Sequence, residues 1–286
     1  MKIRTDLAME SPSYTKKTGE LKGIKVTEKK NGDINLIRMD VLNHNGEMLI
    51  GKPLGTYITL EAPGLSEMND DYHYEVTKIL AEQIKELIKG AYSLNSKVPE
   101  VLVVGLGNIE ATPDSLGPRV VSNLLITKPV AHKIKDNSDV FGIVSAFSPG
   151  VMAQTGIETS EIINAIVRKT EPDILLVIDS LAARSITRLN STIQIANTGI
   201  DPGSGVGNHR MAINKKTMGV PVIAIGIPTV VDAATLIYDA TDSKMEDEYY
   251  NMYRQMYVTT KDIDAIINRV SYTVSEAVNM CMSNEI

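Results

Sequence analysis

Two short apolar runs, each followed by a carboxylate, constrain the fold of this chain more than any other feature. The run Val101–Val104 stops at Gly105, and its carboxylate, Asp114, lies in the loop that follows. The run Ile174–Ile178 leads directly into Asp179. A continuous apolar run of this length is typical of a strand that is buried on both faces of a parallel sheet. Because ligands and reacting groups gather at the carboxyl ends of such strands, we expect the residues that follow both runs to face one cleft.

The other predicted elements alternate strands with helices around these two runs. A helix is predicted over 70–89, where apolar side chains recur at helical spacing and Gly90 follows. The remaining pattern predicts helices at 118–126, 158–169, 229–238 and 261–282, and strands at 140–147, 192–197 and 220–227. Alternation of this kind predicts an α/β fold with a mostly parallel sheet and helices on both faces.

An antiparallel β segment is predicted N-terminal to this sheet. Residues 23–30 and 34–42 alternate in polarity on either side of Asn31-Gly32, a strong hairpin signal, and 55–60 continues the strand character. Residues 1–20 are polar and lack periodicity, which predicts a mobile arm. Residues 240–260 are predicted to form a short acidic connection at the surface.

Composition argues against several classes of function. The net charge of −6 disfavours a nucleic-acid-binding surface, which would normally be basic. The single cysteine, Cys281, leaves no disulfide framework and no cysteine-rich metal site, which fits a reducing cytoplasm. The N-terminus has no apolar signal core, and no apolar run approaches the ~20 residues of a membrane span. We therefore expect a soluble protein that is either intracellular or made inside the cell.

Asp114 and Asp179 are the candidate reactive groups. Asp114 lies in the loop after the first run, where an aspartate either closes the Thr-Pro-Asp-Ser turn or stands at the mouth of the sheet. Asp179 follows a buried strand, so it either pairs with Arg184, caps the next turn, or serves in the cleft. Two carboxylates in one low-dielectric cleft do not both ionise easily, and such a pair can activate water and protonate a leaving amine.

Other chemistries fit the residues less well. Gly105-Leu106-Gly107 resembles the start of a dinucleotide fingerprint, but Glu110 stands where the third glycine belongs and would oppose a pyrophosphate. Ser204 does not follow a strand, as a nucleophile elbow requires. No metal or cofactor is predicted, because metal-ligand spacing is missing from the four histidines, His44, His73, His132 and His209.

Two loops are expected to surround the cleft. The first follows the strand at 101–104 and contains Gly105, Gly107 and Asn108. The second is the glycine-rich stretch 199–207, which is either mobile or a cradle of backbone amides beside the site. Its candidate residues are Gly203, Ser204 and Gly205.

Four longer motifs resemble those of one known family. They are GLGNIEATPDSLGPRVVSNLLIT, SPGVMAQTGIETSEII, ILLVIDSLAARSITRLNSTIQIANTGIDPGSGVGNHR and GVPVIAIGIPTVVDA. The resemblance covers nearly the whole chain, and it is to the germination protease of spore-forming bacteria, the endopeptidase that degrades small acid-soluble spore proteins at germination. It implies an atypical aspartic endopeptidase that needs no metal, in which the family's two required aspartates match Asp114 and Asp179.

The resemblance also implies a zymogen. Family members remove an N-terminal propeptide at a site that resembles their substrate motif, Thr/Ser-Glu-(Phe/Ile)-Ala-Ser-Glu, which is cut after the first Glu. Thr5–Glu10 is similar to this motif, with Asp6 in place of the first Glu and Met9 in place of Ser. We therefore expect residues 1–6 to be a propeptide, 7–286 to form a single peptidase domain, and autoprocessing to cut between Asp6 and Leu7.

Partners and alternatives follow from the same resemblance. The family implies a homotetramer in the cytoplasm of the forespore or spore core, with small acid-soluble spore proteins as substrates and no direct binding to nucleic acid or membrane. Many members carry a long insertion after IPTVVDA, where this chain has only the connection at 240–260. A more distant similarity to hydrogenase-maturation endopeptidases implies a similar fold and leaves that activity as one alternative. The other is a non-catalytic sporulation or binding protein of the same fold.

Overall fold

Ten strands form one sheet in the part of the chain that the computed structural model describes, residues 6–7, 10, 19–21, 23–92, 98–130, 142–203, 211–241, 252–253 and 255–283. The strands are β1 Gly19–Leu21, β2 Ile24–Asn31, β3 Ile34–Val41, β4 Gly55–Glu61, β5 Glu100–Gly105, β6 Ile143–Phe147, β7 Ile174–Ala183, β8 Thr192–Ala196, β9 Val222–Asp232 and β10 Tyr257–Val258. The order across the sheet is β1-β2-β3-β4-β8-β9-β7-β5-β6, and β10 pairs with β9.

Helices cover this sheet on both faces. They are α1 His44–Ile50, α2 Asp70–Ala91, α3 Leu116–Ser122, α4 Met152–Thr155, α5 Thr159–Thr170, α6 Lys215–Met218, α7 Ala233–Ala240 and α8 Ile263–Ser283. Short 3₁₀ turns occur at Pro63–Ser66, Thr112–Asp114, Lys128–Val130 and Ile186–Arg188. No helix in the described ranges is both long enough and apolar enough to cross a membrane.

The sheet has a parallel half and an antiparallel half. Strands β6, β5, β7 and β9 pair in parallel, whereas β1 to β4 form an antiparallel meander. Strand β8 joins the halves because it pairs antiparallel with both β4 and β9. The predicted α/β fold with an N-terminal antiparallel segment is therefore confirmed. That segment continues the main sheet, so the sheet as a whole is mixed.

Strand β5 shows how the apolar runs fill both sides of the sheet. Val101 and Val103 belong to the core that also contains the inward faces of α2, α3 and α8. Leu102 and Val104 belong to a second core, against α5. Since successive side chains of a strand point to opposite faces, an unbroken apolar run is what this two-sided burial requires. The fold thus removes the whole run from water, which is the main favourable term in folding.

The two long helices are amphipathic, as predicted. Helix α2 begins where the Asn69 side chain accepts a hydrogen bond from the Tyr72 amide at 3.1 Å, and acidic side chains occupy its first turn. It continues one residue beyond Gly90, the predicted end, because Gly90 takes helical geometry. Cys281 is buried in α8, where burial raises the pKa of its thiol to about 12.

Several predicted boundaries differ from the structure because long-range pairing decides them. Strand β9 runs on to Asp232, four residues into the helix predicted at 229–238, because it gains β7 and β10 as neighbours there. The Asp232 carboxylate then caps α7 by accepting from the Thr235 amide at 2.8 Å. The hairpin turn is Gly32-Asp33 rather than Asn31-Gly32, since Asn31 still pairs with Ile34.

Other predicted spans are shortened or fall partly outside the described residues. Helix α3 ends at Ser122, short of the predicted 126. Strand β6 begins at Ile143, and the earlier part of the predicted strand lies outside the described residues, as does most of the acidic connection at 240–260.

Gly105→Ala tests the closest backbone approach in the parallel half. A β-carbon on Gly105 would lie 2.2 Å from the Gly117 carbonyl oxygen and 2.9 Å from Val121 Cγ2, so we expect the substitution to lower the free energy of unfolding by about 1–3 kcal/mol. Gly90→Ala is the matched control, because nothing lies within 4 Å of its β-carbon and a helix interior gains roughly 0.5–1 kcal/mol from the change. Urea unfolding measures the stability of both variants. Equal stability of the Gly105 variant and the parent would contradict the close contact between Gly105 and Gly117.

Candidate active site

The site begins where β5 leaves the sheet. Gly105 is the last residue of β5 to pair with β7, opposite Ile178, and the Leu106 amide donates to the Ile178 carbonyl at 2.8 Å. Strand β7 then continues to Ala183 with β9 on its other side. Asp179 was expected at the end of a strand; it lies instead within β7, at the point where β5 stops covering that strand. The departure of β5 is what opens a cleft there.

Asp114 closes the loop that follows β5. The Asn108 amide donates to Asp114 Oδ2 at 2.8 Å and also to the Asp114 carbonyl at 3.1 Å. Gly107 makes this possible, because its φ is +115° and a β-carbon there would lie 2.0 Å from the Asp114 carbonyl oxygen. Asp114 thus has the turn-closing role that the sequence left open, and these bonds also fix the direction of its carboxylate.

Asp179 is only 7% exposed, although it carries a carboxylate. Its Oδ1 accepts a hydrogen bond from the Ser180 amide at 3.0 Å. It stands in register with Gly226 of β9, over which the Leu181 side chain packs. Burial of a charged group is costly without polar partners, so a carboxylate at this depth needs such donors or a shared proton.

One cleft of about 280 Å³ contains both aspartates. Its walls come from the loop after β5, the start of α5, the extension of β9 and the strand β10, through Gly107, Thr159, Thr229 and Tyr257. Gly203 of the glycine-rich loop also lines it, whereas Ser204 and Gly205 lie outside the described residues. Gly105 and Asn108 do not line it, and Asn108 is linked to it through its hydrogen bond to Asp114. The structure therefore brings Asp114 and Asp179 together, as the two apolar runs predicted.

Asp6 enters the same cleft alongside β7. Its amide donates to the Ala182 carbonyl at 3.1 Å, and its carboxylate Oδ2 accepts from the Ala182 amide at 2.9 Å. One backbone and one side-chain hydrogen bond thus hold Asp6 on the strand edge, which carries unpaired backbone groups where a neighbouring strand is missing. The prediction of a mobile arm is therefore wrong for the described residues Asp6, Leu7 and Glu10, because β7 offers unpaired backbone groups for the segment to bind.

Leu7 is held by apolar contacts with side chains around the end of β7. It is 1% exposed and belongs to a cluster formed by Leu181, Ala183, Leu189 and Val231. Full burial of a leucine side chain contributes about 1.5–3 kcal/mol, which is a large share of what a short segment can supply. The pocket accounts for an apolar residue directly after Asp6.

Glu10 is bound by the residues that directly follow β7. Its carboxylate accepts hydrogen bonds from the Arg184 amide at 2.8 Å and the Ser185 amide at 3.1 Å, and Arg188 Nε lies 3.5 Å away. Charge-assisted bonds of this kind are about twice as strong as neutral ones. Three positions of the processing-like segment, two acidic and one apolar, thus each have a matching partner.

Two polar residues at the site were not found from the sequence. Lys52 Nζ donates to the Asp6 carbonyl at 3.1 Å, and Gln194 Nε2 donates to the same oxygen at 3.3 Å. The one available signal was Gln194 itself, a polar side chain at an inner position of an otherwise apolar strand. Lys52 follows a helix in a Gly-Lys-Pro turn and gave no signal. Burial lowers the pKa of its ammonium, an effect that Asp6 and Asp201 partly offset.

No group of three or more His, Cys, Asp or Glu side chains within the described ranges has an arrangement that could hold a metal ion.

Comparisons with known proteins agree on one class of enzyme, the peptidases. The family model for germination protease matches residues 3–248. The germination protease of Clostridium tetani is 41% identical over 99% of this chain and 96% of its own length. That of Caldanaerobacter subterraneus subsp. tengcongensis is 42% identical, over 98% of this chain and 94% of its own length. The chain belongs to the germination protease family, and it is therefore a protease.

Two further similarities are less extensive. The germination protease of Bacillus subtilis is 46% identical over 84% of this chain and 66% of its own length. The crystal structure of a [NiFe] hydrogenase maturation protease HycI from Thermococcus kodakarensis aligns with a TM-score of 0.35 and 13% identity, over 68% of this chain and 98% of that one. A structural similarity of this degree supports no inference about the site.

Leu7→Ala tests whether burial of Leu7 holds the N-terminal segment on β7. Leucine-to-alanine changes at buried sites cost about 2–5 kcal/mol, so the segment should detach more often in the variant. We expect the amide hydrogens of Ala182 and Arg184, which Asp6 and Glu10 bind, to exchange at least about tenfold faster. Leu54→Ala is the control, because Leu54 is 49% exposed. Unchanged exchange in the Leu7 variant would refute the docking.

Proposed function

We propose that this chain is an endopeptidase in which Asp114 and Asp179 activate a water molecule against a peptide bond. One observation carries the proposal: both carboxylates and Asp6 line a single cleft. Membership of a protease family supports it, as does the resemblance of the surrounding motifs to those that contain the family's two aspartates. Among the described residues of the cleft wall, the only other acidic side chain is that of Asp6.

The proposed reaction uses the pair as base and acid. One carboxylate accepts a proton from water as the water oxygen attacks the carbonyl carbon of the substrate. The proton then passes from the pair to the leaving nitrogen as the C–N bond breaks. Two close carboxylates share a proton readily, because both cannot stay charged in a poorly solvated cleft. The Asn108 and Ser180 amides support this role, since they fix the direction in which each carboxylate points.

The proposed substrates are the chain's own N-terminus and the small acid-soluble spore proteins. Thr5–Glu10 resembles the family's substrate motif, and its described residues already lie along β7. The bond between Asp6 and Leu7 would then be the processing site, and residues 1–6 a propeptide that marks a zymogen. A homotetramer in the cytoplasm of the forespore or spore core is proposed on the family resemblance alone.

Asp114→Asn and Asp179→Asn test the pair. An amide cannot act as a base, so each change, made in a chain that begins at Leu7, should lower cleavage of small acid-soluble spore proteins by at least about 10²–10⁴-fold, the usual contribution of general acid–base catalysis. Asp70→Asn is the control, because Asp70 lies exposed at the start of α2, away from the cleft. Circular dichroism should show an unchanged fold in all three variants.

Three outcomes of this assay would contradict the proposal. Parent-level activity in either cleft variant would exclude the aspartate pair. An inactive parent chain that begins at Leu7 would favour a non-catalytic binding protein. Loss of activity after exhaustive chelation, restored by zinc or nickel, would favour a metal-dependent mechanism like that of the hydrogenase-maturation alternative; we expect activity to persist.

Asp6→Arg tests autoprocessing at the Asp6–Leu7 bond. The Asp6 carboxylate accepts a hydrogen bond from the Ala182 amide, which a guanidinium cannot do, so processing should be blocked. Asp6→Glu is the matched control: it keeps an acceptor and restores the residue of the family motif, so it should be processed. N-terminal sequencing should give Leu7 as the first residue. A different first residue, or undiminished processing in Asp114→Asn, would disprove self-cleavage at this bond.

A further inference from the structure

The carbonyl oxygen of Asp6 receives two side-chain hydrogen bonds. Lys52 Nζ lies 3.1 Å from it and Gln194 Nε2 lies 3.3 Å from it. This carbonyl belongs to the Asp6–Leu7 peptide bond, which the proposed function cleaves. When a nucleophile attacks such a carbonyl, negative charge develops on its oxygen, and donors aimed at that oxygen stabilise the transition state.

The register of the sheet places Gln194 across from Asp179. Asp179 of β7 and Gln194 of β8 are both in register with Gly226 of β9, which lies between them. In-register residues of neighbouring strands point to the same face, and two strand spacings span ~10 Å. The Leu181 side chain packs over Gly226, where a β-carbon would lie 2.5 Å from it, so Leu181 separates the carboxylate from the amide donor at this level of the sheet.

Two adjoining cavities show the same arrangement. Asp6 lines the cleft that holds Asp114 and Asp179, and it also lines a neighbouring cavity with Lys52, Gln194 and Gly226. Asp6 therefore borders both the cleft of the acidic pair and the cavity of the two donors. Its carbonyl oxygen faces the donors, and the water to be activated would come from the cleft of the acidic pair.

The backbone that carries each donor is fixed by its neighbours in the fold. Gln194 is an inner residue of β8, paired with β4 on one side and β9 on the other. Lys52 follows α1, whose last turn is closed by the Gly51 amide on the Glu47 carbonyl at 2.7 Å. Tyr57 then donates to the Pro53 carbonyl at 2.9 Å, which fixes the turn after Lys52. Pre-set donors of this kind need no reorganisation during the reaction.

We propose that Lys52 and Gln194 form the oxyanion site for the scissile peptide bond, an assignment that rests on the proposed peptidase function. The water oxygen bonds to the Asp6 carbonyl carbon, and the π electrons of the carbonyl move to its oxygen, which Lys52 and Gln194 then bind as an oxyanion. The water proton goes to the aspartate pair. When the C–N bond breaks, its electrons go to the Leu7 nitrogen, which takes that proton. Water is the only other reactant consumed.

The electrostatic setting of Lys52 agrees with this role. Its ammonium is largely removed from water, and the carboxylates of Asp6 and Asp201 favour its charged form. A cation that is poorly solvated exerts a stronger field on a nearby oxygen than one in bulk water. Gln194 is neutral, so it adds a directed hydrogen bond to the carbonyl oxygen without adding a second positive charge.

The experiment measures self-cleavage of the full chain in Lys52→Met and Gln194→Met. Loss of one oxyanion donor typically costs about 10²–10³ in rate, so each variant should convert that much more slowly, as followed by mass spectrometry. Lys25→Met is the control, because Lys25 lies exposed on β2. Hydrogen exchange at the Ala182 amide, which Asp6 binds, reports whether the segment stays docked.

The outcomes distinguish failure of the oxyanion site from failure of the proposed peptidase function. Slow conversion with unchanged Ala182 protection supports the oxyanion site. Parent-like conversion, or a loss of rate matched by an equal loss of protection, overturns it, because Lys52 would then only hold the segment in place. Asp179→Asn is run in parallel: if it converts at the parent rate, the proposed function itself fails, and if it alone is blocked, only the oxyanion assignment fails.

Chemical rescue isolates the charge of Lys52. Lys52→Cys can be alkylated with 2-bromoethylamine, which restores an ammonium at nearly the length of lysine, or with iodoacetamide, which leaves a neutral side chain. We expect the first to recover at least about tenfold in rate and the second to recover none. The parent chain treated with the same reagents is the control, since Cys281 is fully buried. Equal rates for the two alkylated proteins would overturn the assignment.

Discussion

The site depends on a single step in the sheet, the departure of β5 from its partner β7. The hydrogen bond from the Leu106 amide to the Ile178 carbonyl is the last link between these strands, and close packing of Gly105 against α3 turns the chain away there. Beyond this point β7 keeps β9 on one side and presents its other edge to the cleft. An uncovered strand edge carries unpaired backbone donors and acceptors, and here the N-terminal segment satisfies part of them.

One strand therefore supplies both a reactive group and a means of binding peptide. Asp179 precedes the residues of β7 that contact Asp6 and enclose Leu7. The pairing of β7 with β9 shifts by one residue between Leu181 and Ala182. Such irregularities bend a strand and redirect its side chains, and they are common beside active sites. The shift falls between the carboxylate and the binding edge, so it sets their relative position, on which the proposed chemistry depends.

Local pattern was sufficient for the parallel half of the sheet, because buried strands must be apolar at every position. The runs at 101–104 and 174–178 therefore located Asp114 and Asp179 in one cleft. Local sequence pattern failed where a strand depends on a neighbour that is distant in sequence. Strands β7 and β9 lengthen each other beyond their apolar runs, and neither segment encodes that length alone. Lys52 and Gln194 were missed for the same reason, since hydrogen bonds to one oxygen from residues far apart in sequence leave no periodic trace.

The N-terminal segment shows how covalent attachment relaxes the requirements of recognition. A tethered segment has a high effective concentration at its own site, so modest contacts suffice to keep it bound. The proposed processing site has Asp6 and Met9 where the family's substrate motif has Glu and Ser. The contacts that the structure shows need only an acidic side chain at Asp6, an apolar one at Leu7 and a second acid at Glu10. Under the proposed function, a separate substrate lacks the benefit of attachment, so it needs the better match.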